Sequence, residues 1–204
     1  MILALICASS MIGPGAADFF PLVEGTVRKY EQKASTIVTT VSVVGKPLDM
    51  GGVTVTPVRE TPTGSSGTTT YYRVDDDQVA VVAYDIKHPF MNPMPVLKLG
   101  AGKVEWDYQG VTKTSVTGER LVAHGEAHAA GKREVLGKMV DVIEVKLIAT
   151  IGMGMTRYVC DQDAIYARGI GLVDMVSKVR LGDTKQSTTT STHLVSIEQD
   201  KGAN

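Results

Sequence analysis

The sequence predicts an all-β protein: a strongly curved antiparallel sheet, either a half-barrel or a sandwich, of about ten strands. Three observations predict it. Thr, Val and Gly are abundant and long Ala/Leu/Glu/Lys runs are absent, which favours strands over helices. Short apolar segments recur at hairpin-like spacing between Gly, Pro and Asp clusters. Val104, Trp106 and Tyr108 alternate with Lys103, Glu105 and Asp107, the signature of a strand buried on one face.

The chain has 204 residues, enough for one sizeable core. Residues 1–17 read as a cleavable signal peptide and residues 18–204 as a single antiparallel β domain. Met1 to Ile12 is almost wholly apolar and uncharged, Gly13-Pro14-Gly15 breaks any helix, and Gly15-Ala16-Ala17 offers small residues for a signal peptidase before Asp18. No Lys or Arg precedes the apolar run. A membrane-spanning helix needs about 20 apolar residues, so none is expected in the processed form. Cys7 follows Ile6 rather than the small residue that lipidation requires, and Cys160 is then the one cysteine of the processed chain, so no internal disulfide supports the fold.

The elements follow in order. Thr26 to Val44 is β-like, with a turn or bulge where the alternation slips near Lys33 to Ser35. Val53 to Glu60 is a short strand that Pro57 pushes toward a sheet edge. Thr61 to Thr70 is a Gly/Ser/Thr loop, Tyr71 to Val74 a strand and Asp75 to Asp77 a turn. Gln78 to Ile86 is an apolar strand, and the prolines between His88 and Pro95 exclude a regular element there. After the strand at Val104 to Tyr108, Thr112 to Ala129 continues as strand to a turn at Gly131-Lys132. Met139 to Ile151 carries Met139, Ile143, Val145, Leu147, Ala149 and Ile151 on one face. Thr156 to Cys160 and Ala164 to Ala167 read as short strands around a turn at Asp161-Gln162-Asp163, followed by strands at Leu172 to Leu181 and Lys185 to Glu198.

Three segments carry a resemblance. Phe19-Phe20-Pro21-Leu22, Gly25 and Tyr30 are similar to the "YFPL..G..W.Y" opening of a group of exported bacterial β proteins of uncharacterised function. Leu97-x-Leu99, Gly102 and Trp106-x-Tyr108 resemble the internal echo of that opening, and Ala164 to Val173 resembles the group's "YWYAPGVGLVK" element. Arg28 stands where the group has its opening tryptophan, and Asp174 where it has a lysine. The group in turn resembles the half-barrels of periplasmic lipoprotein carriers, which implies a curved sheet able to cradle acyl chains and a secreted, periplasmic or cell-envelope location. The two apolar–Gly–aromatic openings, near Gly25 and Gly102, suggest an internal repeat.

Two residue sets are candidate sites. Tyr71, Tyr72, Trp106, Tyr108, Tyr158 and Tyr166 are aromatic residues that could line a ligand groove, with Trp106, Tyr108, Tyr158 and Tyr166 the chosen candidates, though such residues on alternating strand positions read first as core. His124, Glu126 and His128 share a strand face and form a chemically plausible transition-metal set. They read first as a polar exterior row, because Leu121, Ala123, Gly125 and Ala127 opposite are small and apolar, and because roughly 13 Å separates the first Cα from the last. Asp75-Asp76-Asp77 with Asp85 lacks the calcium-loop glycine and late glutamate. Ile151 to Met155 lacks the context of a dinucleotide loop, and no G-x-S-x-G element occurs. A net charge of −1 gives no footprint for nucleic acid. The expectation is a non-catalytic exported domain without a cofactor, whose partner is a lipid or apolar small molecule or an envelope protein; the alternative is a metal-binding protein or metal-dependent enzyme using His124, Glu126 and His128.

Overall fold

The structure, a computed structural model, describes residues 14–112, 119–152, 157–182, 184 and 186–199. Among the described residues one helical turn, α1 (Ala16–Phe19), precedes thirteen strands. They are β1 (Thr26–Lys33), β2 (Ile37–Val44), β3 (Leu48–Asp49), β4 (Thr54–Pro62), β5 (Thr68–Val74), β6 (Gln78–Ala83), β7 (Met94–Lys98), β8 (Val104–Thr112), β9 (Glu119–Val135), β10 (Lys138–Ile151), β11 (Tyr158–Ala167), β12 (Gly171–Leu181) and β13 (Ser187–Gln199). Every ladder is antiparallel, and the path runs β7-β6-β5-β4-β2-β1-β13-β12-β11-β10-β9-β8, with β3 beside β4. The chain winds outward from the β1–β13 pair in both directions, so β7 and β8, neighbours in sequence, meet as the two ends of one nearly closed barrel. The all-β, strongly curved antiparallel sheet expected from the sequence is the architecture found.

Closure puts one face of every long strand inside. Leu121, Ala123 and Ala127 of β9, Val145, Leu147 and Ala149 of β10, and Ala164 and Tyr166 of β11 form the main core with Val81, Met94 and Leu97. The alternation places their neighbours outside, where Lys146 reaches Asp163 at 3.7 Å and Lys103 holds Glu126 at 2.6 Å. Near the tip of the β9–β10 hairpin, Val135 and Val142 pack with Tyr30, Ala167, Val173 and Leu194 in a second, smaller cluster.

Several sequence expectations are corrected by pairing. Pro57 lies in an interior strand: β4 is flanked by β5 on one side and by β3 and β2 on the other. The β3 ladder ends at Val55 and the β2 ladder begins at Val58, so the missing N–H falls at the hand-over, where the Pro57 carbonyl accepts from Gly45 N at 2.8 Å. Gly131 makes no turn. Ala129 pairs with Ile143 and Lys132 with Asp141, which leaves a bulge at Gly131 (φ +82°) inside β9. The turn comes at Leu136 and Gly137, whose φ of 49° and 76° suit a two-residue hairpin. Asp161-Gln162-Asp163 is also no turn: it is the middle of β11, paired with Ile148, Leu147 and Lys146 on one side and with Lys178, Ser177 and Val176 on the other.

The loop expected from Thr61 to Thr70 shrinks to residues 63–67, because β4 and β5 extend into both ends. β7 begins at Met94 and runs through Pro95, within the stretch expected to be irregular. Met139 is 63% exposed, because β10 starts beyond the core that its other odd-numbered residues enter. The expected strand around 113–118 and the segment 153–156 lie outside the described residues.

The seam between β7 and β8 has no backbone ladder. Side chains bridge it: Trp106 donates Nε1–H to the Pro95 carbonyl at 3.3 Å, and Tyr108 donates its hydroxyl to the Asn92 carbonyl at 2.6 Å. Both side chains lie against a glycine. A Cβ on Gly125 would sit 2.2 Å from the indole, and one on Gly110 would sit 2.0 Å from the Tyr108 hydroxyl oxygen. Trp106→Ala is expected to cost about 3–5 kcal/mol and Tyr108→Phe about 1 kcal/mol, both read from urea unfolding midpoints.

The last residues of the expected leader are described. Ala16 is fully buried in the main core and donates its N–H to the Asp76 carbonyl at 2.9 Å. A chain beginning at Asp18 is therefore expected to be less stable than one beginning at Pro14 by about 1–2 kcal/mol. Calorimetry of the two forms, together with the intact mass of the exported protein, checks this.

Candidate functional site

The barrel encloses a cavity of about 330 Å³, within the size range of small-molecule sites. Strand alternation builds its two unlike walls. Leu121, Val145, Leu147, Ala149, Ile151 and Ala164, on β9 to β11, give an apolar wall that continues through Met175 of β12 and, across the seam, Val81, Met94 and Val96. Opposite, β1, β2, β4 and β5 contribute Arg28, Tyr30, Ser42, Glu60, Thr70 and Tyr72. Arg28 pairs in register with Ser42, and Ser42 with Glu60, so these three form one polar row across adjacent strands.

The N-terminal segment closes over the cavity. Phe20 packs between Tyr72 and Tyr166, with ring centroids 5.0 and 5.8 Å away. Arg28 anchors the same segment, donating Nη2–H to the Pro21 carbonyl at 2.8 Å and Nε–H to the Ile170 carbonyl at 3.0 Å. Outside, Arg168 meets Asp18 at 3.1 Å, and Gly169 N–H reaches the Asp18 carbonyl at 2.6 Å.

Burial sets the electrostatics. Arg28 is only 7% exposed, and burial lowers the pKa of its guanidinium. Burial raises the tyrosines: Tyr166 is pushed up to about 12, and Tyr30, Tyr72 and Tyr84 also move upward. Glu60 keeps accessible surface, but that surface belongs to the lumen, and the surrounding walls raise its carboxyl above the usual range. Cys160, the described cysteine, also lines the cavity, with its Sγ 3.5 Å from Ser177 Oγ.

The expected aromatic set divides. Tyr72 and Tyr166 line the cavity, while Trp106 and Tyr108 are buried at the seam. Tyr158 is 52% exposed, at the start of β11. His124, Glu126 and His128 all face outward, each toward a different partner: His124 Nδ1 lies 2.8 Å from Asp107, Glu126 binds Lys103 at 2.6 Å, and His128 Nε2 lies 3.5 Å from Glu144. Among the described residues no three His, Cys, Asp or Glu side chains gather around one point. Asp75 accepts from Arg73 and Gln78 and closes the β5–β6 hairpin, and Asp85 accepts from His88.

Arg28, Ser42 and Glu60 were not among the expected site residues. The available signal was Arg28 itself, standing at a position the resembled group fills with tryptophan. Glu60 gave none, because Val55 and Val58 put buried residues on both phases of β4.

Because the folded state holds the Glu60 proton more tightly than the unfolded chain, stability falls as pH rises from the ordinary carboxylate range through the raised value. Glu60→Gln is expected to remove this fall, so the variant gains more in Tm over wild type at pH 8 than at pH 4. Equal Tm differences at the two pH values would contradict the assignment.

No protein-family model matches the chain, and no curated protein matches it by sequence. Solved structures do. A provisionally assigned lipoprotein from Parabacteroides distasonis ATCC 8503 superposes with a TM-score of 0.51 at 12% identity, covering 88% of this chain and 98% of its own. A provisionally assigned exported protein with a YmcC-like fold, from Bacteroides fragilis NCTC 9343, gives a TM-score of 0.46 at 12% identity over the same shares. The first likeness is one of fold.

Proposed function

We propose that the protein is an exported, non-catalytic β-barrel that holds a lipid-like ligand in its lumen. The observation that carries this reading is the cavity of about 330 Å³ with an apolar wall along β9 to β12 facing a polar row on β1, β2 and β4. Such a site solvates a chain on one side and a polar end on the other, which is the division an amphiphile needs. The lumen is partly open to solvent. Residues 1–17, with their apolar run and small-residue end, support export to the periplasm, cell surface or medium. The lipoprotein assignment of the Parabacteroides distasonis neighbour points the same way.

The reading is tested with Nile red, an uncharged lipophilic dye. Binding in the lumen is expected to raise and blue-shift its emission and to slow maleimide alkylation of Cys160, followed by peptide mass spectrometry. Phe20→Ala, which removes the ring between Tyr72 and Tyr166, is expected to increase dye binding. Dye that fails to bind, or that binds without protecting Cys160, overturns the lumen as the site.

A further inference from the structure

Arg28 and Glu60 are the charged side chains among the described residues lining the cavity. Arg28 is 7% exposed, and its hydrogen-bond partners, the carbonyls of Pro21 and Ile170, are both neutral. They take up Nε and one Nη2 hydrogen of the five donors a guanidinium carries. No carboxylate of the described residues pairs with it. A cation held this deep without a counter-charge is costly. Its neighbour in register, Ser42, is 4% exposed, lines the same cavity, and has a hydroxyl without a hydrogen-bond partner among the described residues. Glu60 stands one strand beyond Ser42, about 10 Å from Arg28 between Cα atoms, makes no ion pair with it, and burial favours its uncharged form. The lumen therefore offers one fixed positive charge and a free hydroxyl on one wall, and hydrocarbon contacts on the other.

We infer that the ligand is an amphiphile with an anionic head, a carboxylate or a phosphate monoester, whose head sits against Arg28 and Ser42 and whose chain lies along the wall formed by Val145, Leu147, Ala149 and Met175. This rests on the reading of the lumen as a ligand site. The head supplies the counter-charge Arg28 lacks, and charge-assisted hydrogen bonds are the strong ones. Gly171 carries no side chain against this group: a Cβ there would lie in contact with it, 3.5 Å from Arg28 Nε.

The experiment displaces Nile red from the full chain with dodecanoate, dodecyl phosphate and dodecanol at pH 7. At least one anion is expected to displace the dye at about tenfold lower concentration than the alcohol; which anion does so identifies the head. Arg28→Gln is expected to abolish that preference, so that both anions and dodecanol displace the dye at similar concentrations. Arg28→Lys, which retains the charge, keeps a reduced preference and covers the case in which Arg28→Gln does not fold. Equal displacement by all three ligands from wild type overturns the inference and leaves the lumen reading standing. A preference that survives in folded Arg28→Gln overturns the placement of the head. Failure of the dye and all three ligands to bind overturns the lumen reading as well.

Discussion

The structure depends on closing a sheet whose two end strands do not hydrogen-bond to each other. An open edge exposes a row of unpaired N–H and C=O groups and invites pairing with other chains. Here β7 and β8 face each other without a ladder, and Trp106 and Tyr108 reach across to backbone carbonyls of Pro95 and Asn92. Pro95 has no N–H to leave unpaired at this edge. Gly125 and Gly110 let both rings lie against the backbone, so the bridging side chains also shield the glycines they cover. Without this seam the inner face of β9 to β11 would be a greasy sheet surface open to water rather than a wall of a cavity.

Closure then decides what each side chain experiences. Because the barrel has more strands than its side chains can fill across, an unfilled lumen remains between unlike walls. The N-terminal segment covers part of it through Phe20 and is tied down by Arg28, so one residue both secures the cover and supplies the lumen's positive charge. The outer face carries pairs that could be taken for sites in isolation. The Asp174 carboxylate lies 2.7 Å from Arg133 and 2.5 Å from His193. The histidines of β9 likewise each face a carboxylate on another strand.

Much of the fold was legible because the period-two alternation is written into the long strands. Val145, Leu147 and Ala149 on one face, and Glu144, Lys146 and Ile148 on the other, specify a strand and its inside without help from elsewhere. The misread points were those where a residue's local preference and its partner's demand disagree. Gly131 looks like a turn and is a bulge; Asp161-Gln162-Asp163 looks like a turn and is held extended by neighbours on both sides; Pro57 looks like an edge residue and sits at a hand-over between partners. The site was less legible than the fold. Tyr166 could be anticipated as a lining residue, but Trp106 and Tyr108, of the same chemistry and also on alternating positions, went to the seam.

The sequence by itself determined the class of the protein, the strands and most of the faces they bury, because those follow from side-chain order along a pleated backbone. Tertiary structure alone decided that the sheet closes on itself, that a lumen remains, and that Arg28, Ser42 and Glu60 line up on one wall of it. These three come from strands that meet laterally, and the register between strands is set by turns, bulges and core packing that no single segment encodes.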